Sequence, residues 1–595
     1  MPDKSDNPYN FWQELKRRKV VRVITVYAAA AFVILELVDI VSPALGLPSW
    51  TLGLVIVLLC AGLIISTMLS WVYDITPEGV HKTKPINKAS QKTNEVYSKN
   101  TNWKVATYIS IAVIIGLLAY NLIGIRNRSK IDPGLEKSIA VLPFKNLSEE
   151  KGNEYFVDGL VEDLLNRLSP IEELRVTSRT SSEMYREKGI KSVPEIAKEL
   201  GVSYVVEGSV QRYGNKARIT VQLIDARNDG HIWSKDYDRE IGDVFETQSE
   251  IAMRIVSELK MILSSDQKEY IQENKTLNLD AFELYQMGRF YWNKRTGEGY
   301  AKSIEYFEEA IAEDTAYGLA YAGLADSYLL MALQGWIDIN EGRDKAVEFA
   351  LKALELDDNL AEAYTVLGQV YDYVDWDWEK AERAFQHAFE INPNYATAHH
   401  YYAEHLSIIG KHNEAREQVN KAIELDPLSP VIRRLSSKIY YNQSYFSKSL
   451  EAIKKCYELQ KEFPLVHAYE FRVYWRLGEE EKSYEALRKI LANEPVYDVE
   501  TTDSIFKSSG LISVINWKIE IDIPRAEDGN DYCSLALIHG LIGKDEQALY
   551  WLEKAIESGE CPEMSFRLEF KNLHDNPRYI ALLDKMGLTE YFHGE

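Results

Sequence analysis

Small and apolar residues recur with a period of about 34 residues between 279 and 557. Within each unit the apolar positions follow two helical stripes, and two small residues mark the second helix. Small side chains let two helices approach closely, and one helical pair cannot bury its apolar stripe alone. The pattern therefore predicts an all-α superhelix of stacked helical pairs. The marker pairs are Ala346 and Ala353, Ala381 and Ala388, Ala415 and Ala422, and Ala548 and Ala555.

Two irregularities interrupt this period. An insertion surrounds 334–340, and one extra residue lies near 375–377. The stretch 558–595 follows the last clear unit and predicts a capping segment that covers the final apolar face.

The stretch 138–265 has a different pattern. Short apolar runs such as SIAVLPF predict buried strands, and a helical stripe follows them. A hairpin is predicted to turn at Gly214–Asn215, with HIWSKDYDRE extending its second arm. The order βαβαββα predicts a small α/β layer. The helical stripe consists of Phe156, Leu160, Leu164 and Leu168.

Residues 1–130 contain three apolar runs, at about 20–42, 50–73 and 104–125. Each run is near the ~20 residues that a helix needs to cross a bilayer. Cations precede the first and third runs, which predicts a cytoplasmic N-terminus and C-terminal domains in the periplasm. Glu36 and Asp39 share a helix face in the first run. They fit either a proton or ligand relay or an interfacial position facing another span or water.

Charge and chemistry motifs narrow the function. Residues 1–130 hold 15 lysines and arginines against 8 acids, whereas the whole chain carries −23, so the remainder carries −30. Such an acidic body argues against a nucleic-acid surface. Hydrolase, zinc-protease and phosphate-loop motifs do not occur, so we expect no catalysis and no cofactor. Cys533 and Cys561 are either free or paired in an oxidising compartment.

Two clusters of titratable residues have a functional and a structural interpretation. Four acids share the predicted helix that carries the stripe, where they fit a cation site or a solvated face. Four histidines have spacings that do not bring three imidazoles to one helical face, so a metal site is not favoured. The acids are Glu154, Asp158, Glu162 and Asp163, and the histidines are His399, His400, His405 and His412.

The helical array resembles the tetratricopeptide repeat (TPR) family. The stretch from 394 to 427 carries the clearest repeat, and Tyr364, Leu367, Gly368 and Tyr371 fit the pattern of a first helix. The resemblance implies a concave groove that binds a protein or peptide, lined by set positions of each first helix. A ligand with carboxylate groups could meet the cations among them, which could equally pair with neighbouring acids. Transferred to this chain, the candidate groove residues are Gln369, Asp372, Tyr373, His400, Glu404, Arg434, Lys438, Tyr441 and Asn442.

The α/β stretch resembles the TolB-like domain, which is related to the N-terminal domain of TolB and to the FlgO family. IAVLPFKNLS, EYFVDGLVEDLLNRL and GVSYVVEGSV carry this resemblance. FWQELKRRKVVRV and WVYDITPEGV resemble a three-span module that precedes bacterial repeat proteins. Together they imply a non-catalytic, membrane-anchored scaffold in envelope assembly or signalling. The alternative is a sensory protein that passes a periplasmic signal to a separate output partner, since such architectures also occur behind adenylate-cyclase or winged-helix domains.

Overall fold

The computed structural model describes residues 20, 23–24, 27–28, 30–31, 34–35, 50–76, 79–82, 137–148, 154–186, 191–273, 276, 278–529, 532–559 and 567–592. The chain divides into two units, Met1–Leu122 and Ile123–Glu595. In the first unit, helix α1 (Trp50–Val72) leads into an antiparallel pair of strands, β1 (Tyr73–Thr76) and β2 (Gly79–Lys82).

The prediction of three membrane-spanning helices is wrong for the described part of the chain. No helix there combines the length and the apolar character needed to cross a membrane. This finding also overturns the multi-pass inner-membrane location. The third predicted span, most of the first, and Glu36 and Asp39 lie outside the described residues.

The second unit begins with a six-stranded sheet in the order β5-β3-β6-β7-β8, with β4 paired to β6. Strand β3 is parallel to both neighbours, and β7 is antiparallel to both β6 and β8. The strands are β3 (Ser138–Val141), β4 (Lys145–Asn146), β5 (Arg175–Val176), β6 (Tyr204–Tyr213), β7 (Lys216–Asp225) and β8 (Gly230–Glu240). The hairpin turn at Gly214, with φ +60°, is confirmed, whereas HIWSKDYDRE forms the separate strand β8 and does not extend β7.

Helices cover this sheet on both faces. The predicted stripe on α2 is confirmed, because all four of its residues are at most 3% exposed and pack on the sheet. Ser192 caps α4 in a capping box with Glu195, as its sequence indicates. The helices are α2 (Glu154–Leu168), α3 (Arg179–Glu183), α4 (Val193–Leu200), α5 (Val244–Glu258) and α6 (Ser265–Gln272).

The described residues from 278 onward form eight helical pairs and a terminal segment. The first four pairs are α7 (Leu279–Trp292) with α8 (Gly297–Glu313), α9 (Gly318–Leu333) with α10 (Ile339–Leu356), α11 (Ala361–Val370) with α12 (Trp378–Ile391), and α13 (Ala396–Ile408) with α14 (His412–Leu425). The next four are α15 (Pro430–Asn442) with α16 (Phe446–Leu459), α17 (His467–Leu477) with α18 (Glu480–Ala492), α19 (Val499–Ser509) with α20 (Leu511–Gly529), and α21 (Tyr532–Leu541) with α22 (Asp545–Glu557). A 3₁₀ turn at Leu568–Leu573, α23 (Pro577–Lys585) and α24 (Thr589–Phe592) follow.

Close helix crossings explain the small residues. All eight alanines of the marker pairs are fully buried. Gly288 of α7 and Gly323 of α9 both face the ring of Phe307, where an added Cβ would lie 2.5 and 2.7 Å from it. The array is therefore a TPR superhelix, as predicted. Cys533 is disulfide-bonded, Cys60 and Cys456 are free, and Cys561 lies outside the described residues.

Candidate functional site

The structure buries most of the predicted groove residues. Six of them are at most 7% exposed, and they are Gln369, Asp372, His400, Glu404, Lys438 and Tyr441. Tyr373, Arg434 and Asn442 are half-buried. The inner face of the array is therefore a packed polar layer along much of its length, and three of the nine candidates keep appreciable accessible surface.

The extra residue near 375–377 forms a π-helical turn after α11. This turn spans Tyr371–Asp375 and ends at Trp376, whose φ is 55°. A π-turn rotates the following side chains relative to the helix. Here Asp372 Oδ1 lies 2.7 Å from His405 Nδ1 of α13, with both residues fully buried. Burial raises the pKa of the Asp372 carboxyl, although His405 opposes this shift.

A second buried pair joins the next two repeats. Lys438 Nζ donates to Glu404 Oε1 at 3.0 Å, with side-chain exposures of 2% and 9%. The two residues hold the same position in successive repeats, so stacking brings them together. Of the two interpretations of the groove cations, pairing with a neighbouring acid describes Lys438.

The α/β domain fills the inner face of the first repeats. Helix α2 packs against α7 so closely that a Cβ on Gly159 would lie 2.7 Å from the Phe282 ring. Glu162 of α2 forms an ion pair with Arg179 and lies 3.8 Å from Arg289 of α7. Although burial alone would raise the pKa of Glu162, the two guanidinium groups lower it. Glu162 is thus a buried interdomain ion-pair partner and does not lie on a solvated face.

The segment after α2 is held by the turns between repeats. Asn394 Nδ2 donates to the carbonyl oxygens of Ser169, Leu174 and Ile171 at 2.8, 2.9 and 3.3 Å. One repeat later, Asp426 accepts a hydrogen bond of 2.5 Å from Ser181 Oγ. Both turn residues are at most 8% exposed. Buried hydrogen bonds therefore join the α/β domain to the array.

The terminal segment covers the inner face at the other end. Glu569 is 2% exposed, accepts a hydrogen bond of 3.1 Å from Tyr441 Oη and lies 3.5 Å from Arg472 Nε. Trp378 Nε1 of α12 donates to Met586 O at 2.7 Å. The segment predicted as an end cap thus reaches back across several repeats and covers the groove beside Tyr441 and Arg472.

The four histidines do not converge. His399 contacts Gln418 and the Pro393 carbonyl oxygen, whereas His405 contacts Asp372. In the described parts of the chain, no group of three or more His, Cys, Asp and Glu side chains is placed to hold a metal ion. Between the two covered ends, Tyr373, Arg434 and Asn442 of the inner face remain partly exposed.

Three residues that shape the inner face were not predicted from the sequence. Arg472 holds the position of Lys438 one repeat later, so extending the register would have found it. No repeating pattern in the sequence indicates that Arg289 pairs with the α/β domain. Asn394 is a turn residue, and nothing local distinguishes it from Asn359, which is exposed at the corresponding turn.

Comparisons with known proteins match parts of this chain. Residues 135–254 match the family model of the second domain of HilA/YgeH-like transcriptional regulators. A putative adenylate cyclase 3 of Rhizobium meliloti is 40% identical over 147 residues, which is 25% of each chain. The transcriptional regulator HilA of Salmonella typhimurium is 23% identical over 290 residues, 49% of this chain and 51% of HilA. The chain therefore spans a quarter to a half of these relatives.

Solved structures with similar folds are TPR proteins. A thermophilic TPR protein of Thermus thermophilus has a TM-score of 0.28 at 19% identity, covering 32% of this chain and 96% of that protein. The type IV pilus biogenesis factor PilW has a TM-score of 0.31 at 17% identity, covering 38% of this chain and 98% of PilW. These values are too low to carry a conclusion about binding, and the repeat architecture rests on the helical pairs themselves.

Proposed function

We propose that this chain is a non-catalytic regulatory scaffold that binds a segment of a partner protein on the inner face of its TPR array. The observation that carries the proposal is the division of that face. Its two ends are covered by the chain itself, through Glu162 at one end and Glu569 at the other. Between them Tyr373, Arg434 and Asn442 remain partly exposed and present an aromatic ring, a cation and an amide.

The partial relatives support a regulatory role. One is named an adenylate cyclase and another a transcriptional regulator, which are different activities. Segments shared with proteins of such different outputs fit a module that receives or relays a signal. The α/β domain and the array are joined by buried hydrogen bonds at Asn394 and Asp426, so a partner bound to one would act on both.

Site-specific photo-crosslinking in cells tests the proposal. A photoreactive residue at Asn442 on the inner face is compared with one at Arg383, which is exposed on α12 and pairs with Glu379 one turn away. We expect a discrete crosslinked partner at 442 that is absent at 383 and is lost when Arg434→Glu is added. Equal crosslinking at both positions, or none at 442, would refute the inner face as the binding surface.

A further inference from the structure

The uncovered stretch of the inner face has a distinct set of side chains. We call it the middle window and define it by Arg295, Asp326, His400, Tyr401 and Arg434. They come from the α7–α8 turn and from α9, α13 and α15, so four repeats contribute to it. Arg295 is exposed, and Asp326, Tyr401 and Arg434 are half-buried, whereas most neighbouring inner-face residues are buried.

Arg295 is held in place by its backbone and by an aromatic ring. Its φ is 55°, an uncommon value for a residue with a side chain. Its guanidinium carbon lies 3.7 Å from the ring centroid of Trp292, which is only 5% exposed. Stacking on an indole fixes the plane of a guanidinium group. The same left-handed turn recurs between the helices of later pairs, at Gly410, Ser444 and Gly478, so this backbone conformation belongs to the repeat.

His400 provides an unsatisfied polar atom at the same place. The residue is 6% exposed, and its Nδ1 has no hydrogen-bond partner among the described residues. A buried polar atom without a partner costs about 1–3 kcal/mol, so its retention calls for an explanation. Its ring lies edge-on to Tyr401, with centroids 4.9 Å apart.

The charges around His400 are mainly positive. Burial lowers its pKa to about 4, and Arg434, Arg295 and Lys438 add to this shift against Glu404. Glu404 is engaged with Lys438 at 3.0 Å. Burial also raises the pKa of the Asp326 carboxyl to about 6. The window therefore presents two guanidinium groups and a neutral imidazole against one weakly acidic carboxyl.

We propose that the middle window binds a small molecule bearing a carboxylate or phosphate group, with Arg295 and Arg434 as its cationic contacts and His400 Nδ1 as a hydrogen-bonding contact. This proposal goes beyond the proposed function, since it adds a small-molecule site to the same inner face. The covered ends exclude a long peptide running through the groove, because α2 and the terminal segment occupy that path. Guanidinium groups are suited to planar oxyanions through paired N–H donors.

Isothermal titration calorimetry on the full chain tests this ligand class with two probes, succinate and inorganic phosphate. We expect one-to-one binding of at least one probe, weakened about tenfold or more by Arg295→Gln and by His400→Phe. Arg383→Gln, which removes an exposed arginine on α12, is the matched control and leaves the affinity unchanged. A thermal melt of each variant checks folding, and the two substitutions lie in different repeats.

Three results would overturn the inference. The first is no binding heat with either probe up to about 10 mM. The second is equal affinity for the probe in the wild type and in both variants. The third is binding of an acetylated tripeptide with a free C-terminal carboxylate, without binding of its amide or of either probe. The third result would mean that the window binds the C-terminal carboxylate of a protein. Crosslinking at Asn442 separates the two proposals. Retained partner capture without anion binding refutes only the small-molecule ligand, and anion binding without capture refutes only the scaffold.

Discussion

The contact between Asn394 and the α/β domain gives the sharpest prediction. The Asn394 side chain donates to three backbone carbonyls at 2.8–3.3 Å and accepts from Val176 N at 3.3 Å. Replacing it with alanine leaves these buried groups without their partner. At about 1 kcal/mol for each of the better bonds, plus the cost of stranded carbonyls, Asn394→Ala should destabilise the docked segment by about 2–4 kcal/mol.

Hydrogen exchange measured by mass spectrometry reads this effect directly. A loss of about 2 kcal/mol corresponds to about thirtyfold faster exchange where local opening limits it. The peptide covering 169–178 should show this acceleration, while peptides from α21 and α22 should not. Asn394→Asp should be at least as damaging, because a carboxylate of similar shape cannot donate to three carbonyls.

Asn359→Ala is the matched control. Asn359 occupies the corresponding turn one repeat earlier, is exposed, and has a side-chain hydrogen bond to Asp358 beside it. Its replacement should change stability by less than about 0.5 kcal/mol. If the 169–178 peptide exchanges within a factor of two in the Asn394→Ala and Asn359→Ala proteins, the turn does not hold the α/β domain and the reasoning fails.

Three further predictions address the array. Lys438→Met should lower stability by about 3–5 kcal/mol in urea titrations by stranding Glu404, and Glu404→Met added to it should restore most of the loss; equal single and double effects would contradict this. Gly288→Ala should destabilise the protein by about 1–3 kcal/mol, seen as a lower thermal midpoint that Phe307→Leu partly restores, because the new methyl would lie 2.5 Å from that ring. The raised pKa of Asp326, about 6, means that its negative charge is lost as pH falls, so Asp326→Asn should tighten anion binding in calorimetry more at pH 8 than at pH 5. Comparing the two proteins at the same pH cancels the titration of the probe, and an equal effect at both pH values would contradict this prediction.

Periodicity in the sequence predicts contacts between neighbours along the array. The register placed Ala381 and Ala388 at a crossing, and the structure buries both completely. It also located the extra residue near 375–377, although only the structure shows that a π-turn absorbs it and directs Asp372 to His405. Such predictions succeed because each repeat contacts the next in the same way.

Contacts between distant parts of the chain have no such signal. Trp378 donates to Met586, and Asn394 to Leu174, across more than two hundred residues. A polar residue on the inner face has the same pattern whether it faces solvent, a ligand or another part of its own chain. Glu404 and Lys438 therefore fitted a ligand groove in the sequence, although the structure pairs them with each other.

The missed strand β8 has a different cause. Asp225 accepts hydrogen bonds from the backbone and side chain of Arg227, and Asp229 has φ 49° before Gly230. Asp, Asn and Gly in this order are turn residues, and a left-handed residue before glycine is a hairpin signal. These residues therefore indicate a second hairpin. The interpretation of HIWSKDYDRE as an extension of β7 overlooked that turn.

Corresponding repeat positions explain why the window lies where it does. Arg472 and Lys438 hold one position in successive repeats, and each is satisfied by a different acid. Glu569 of the terminal segment neutralises Arg472, and Glu404 of the preceding repeat neutralises Lys438. At the other end, Glu162 of α2 lies near Arg289. The chain thus supplies acids to the arginines at both ends of the inner face, and the stretch between them is the one that we propose binds an anion.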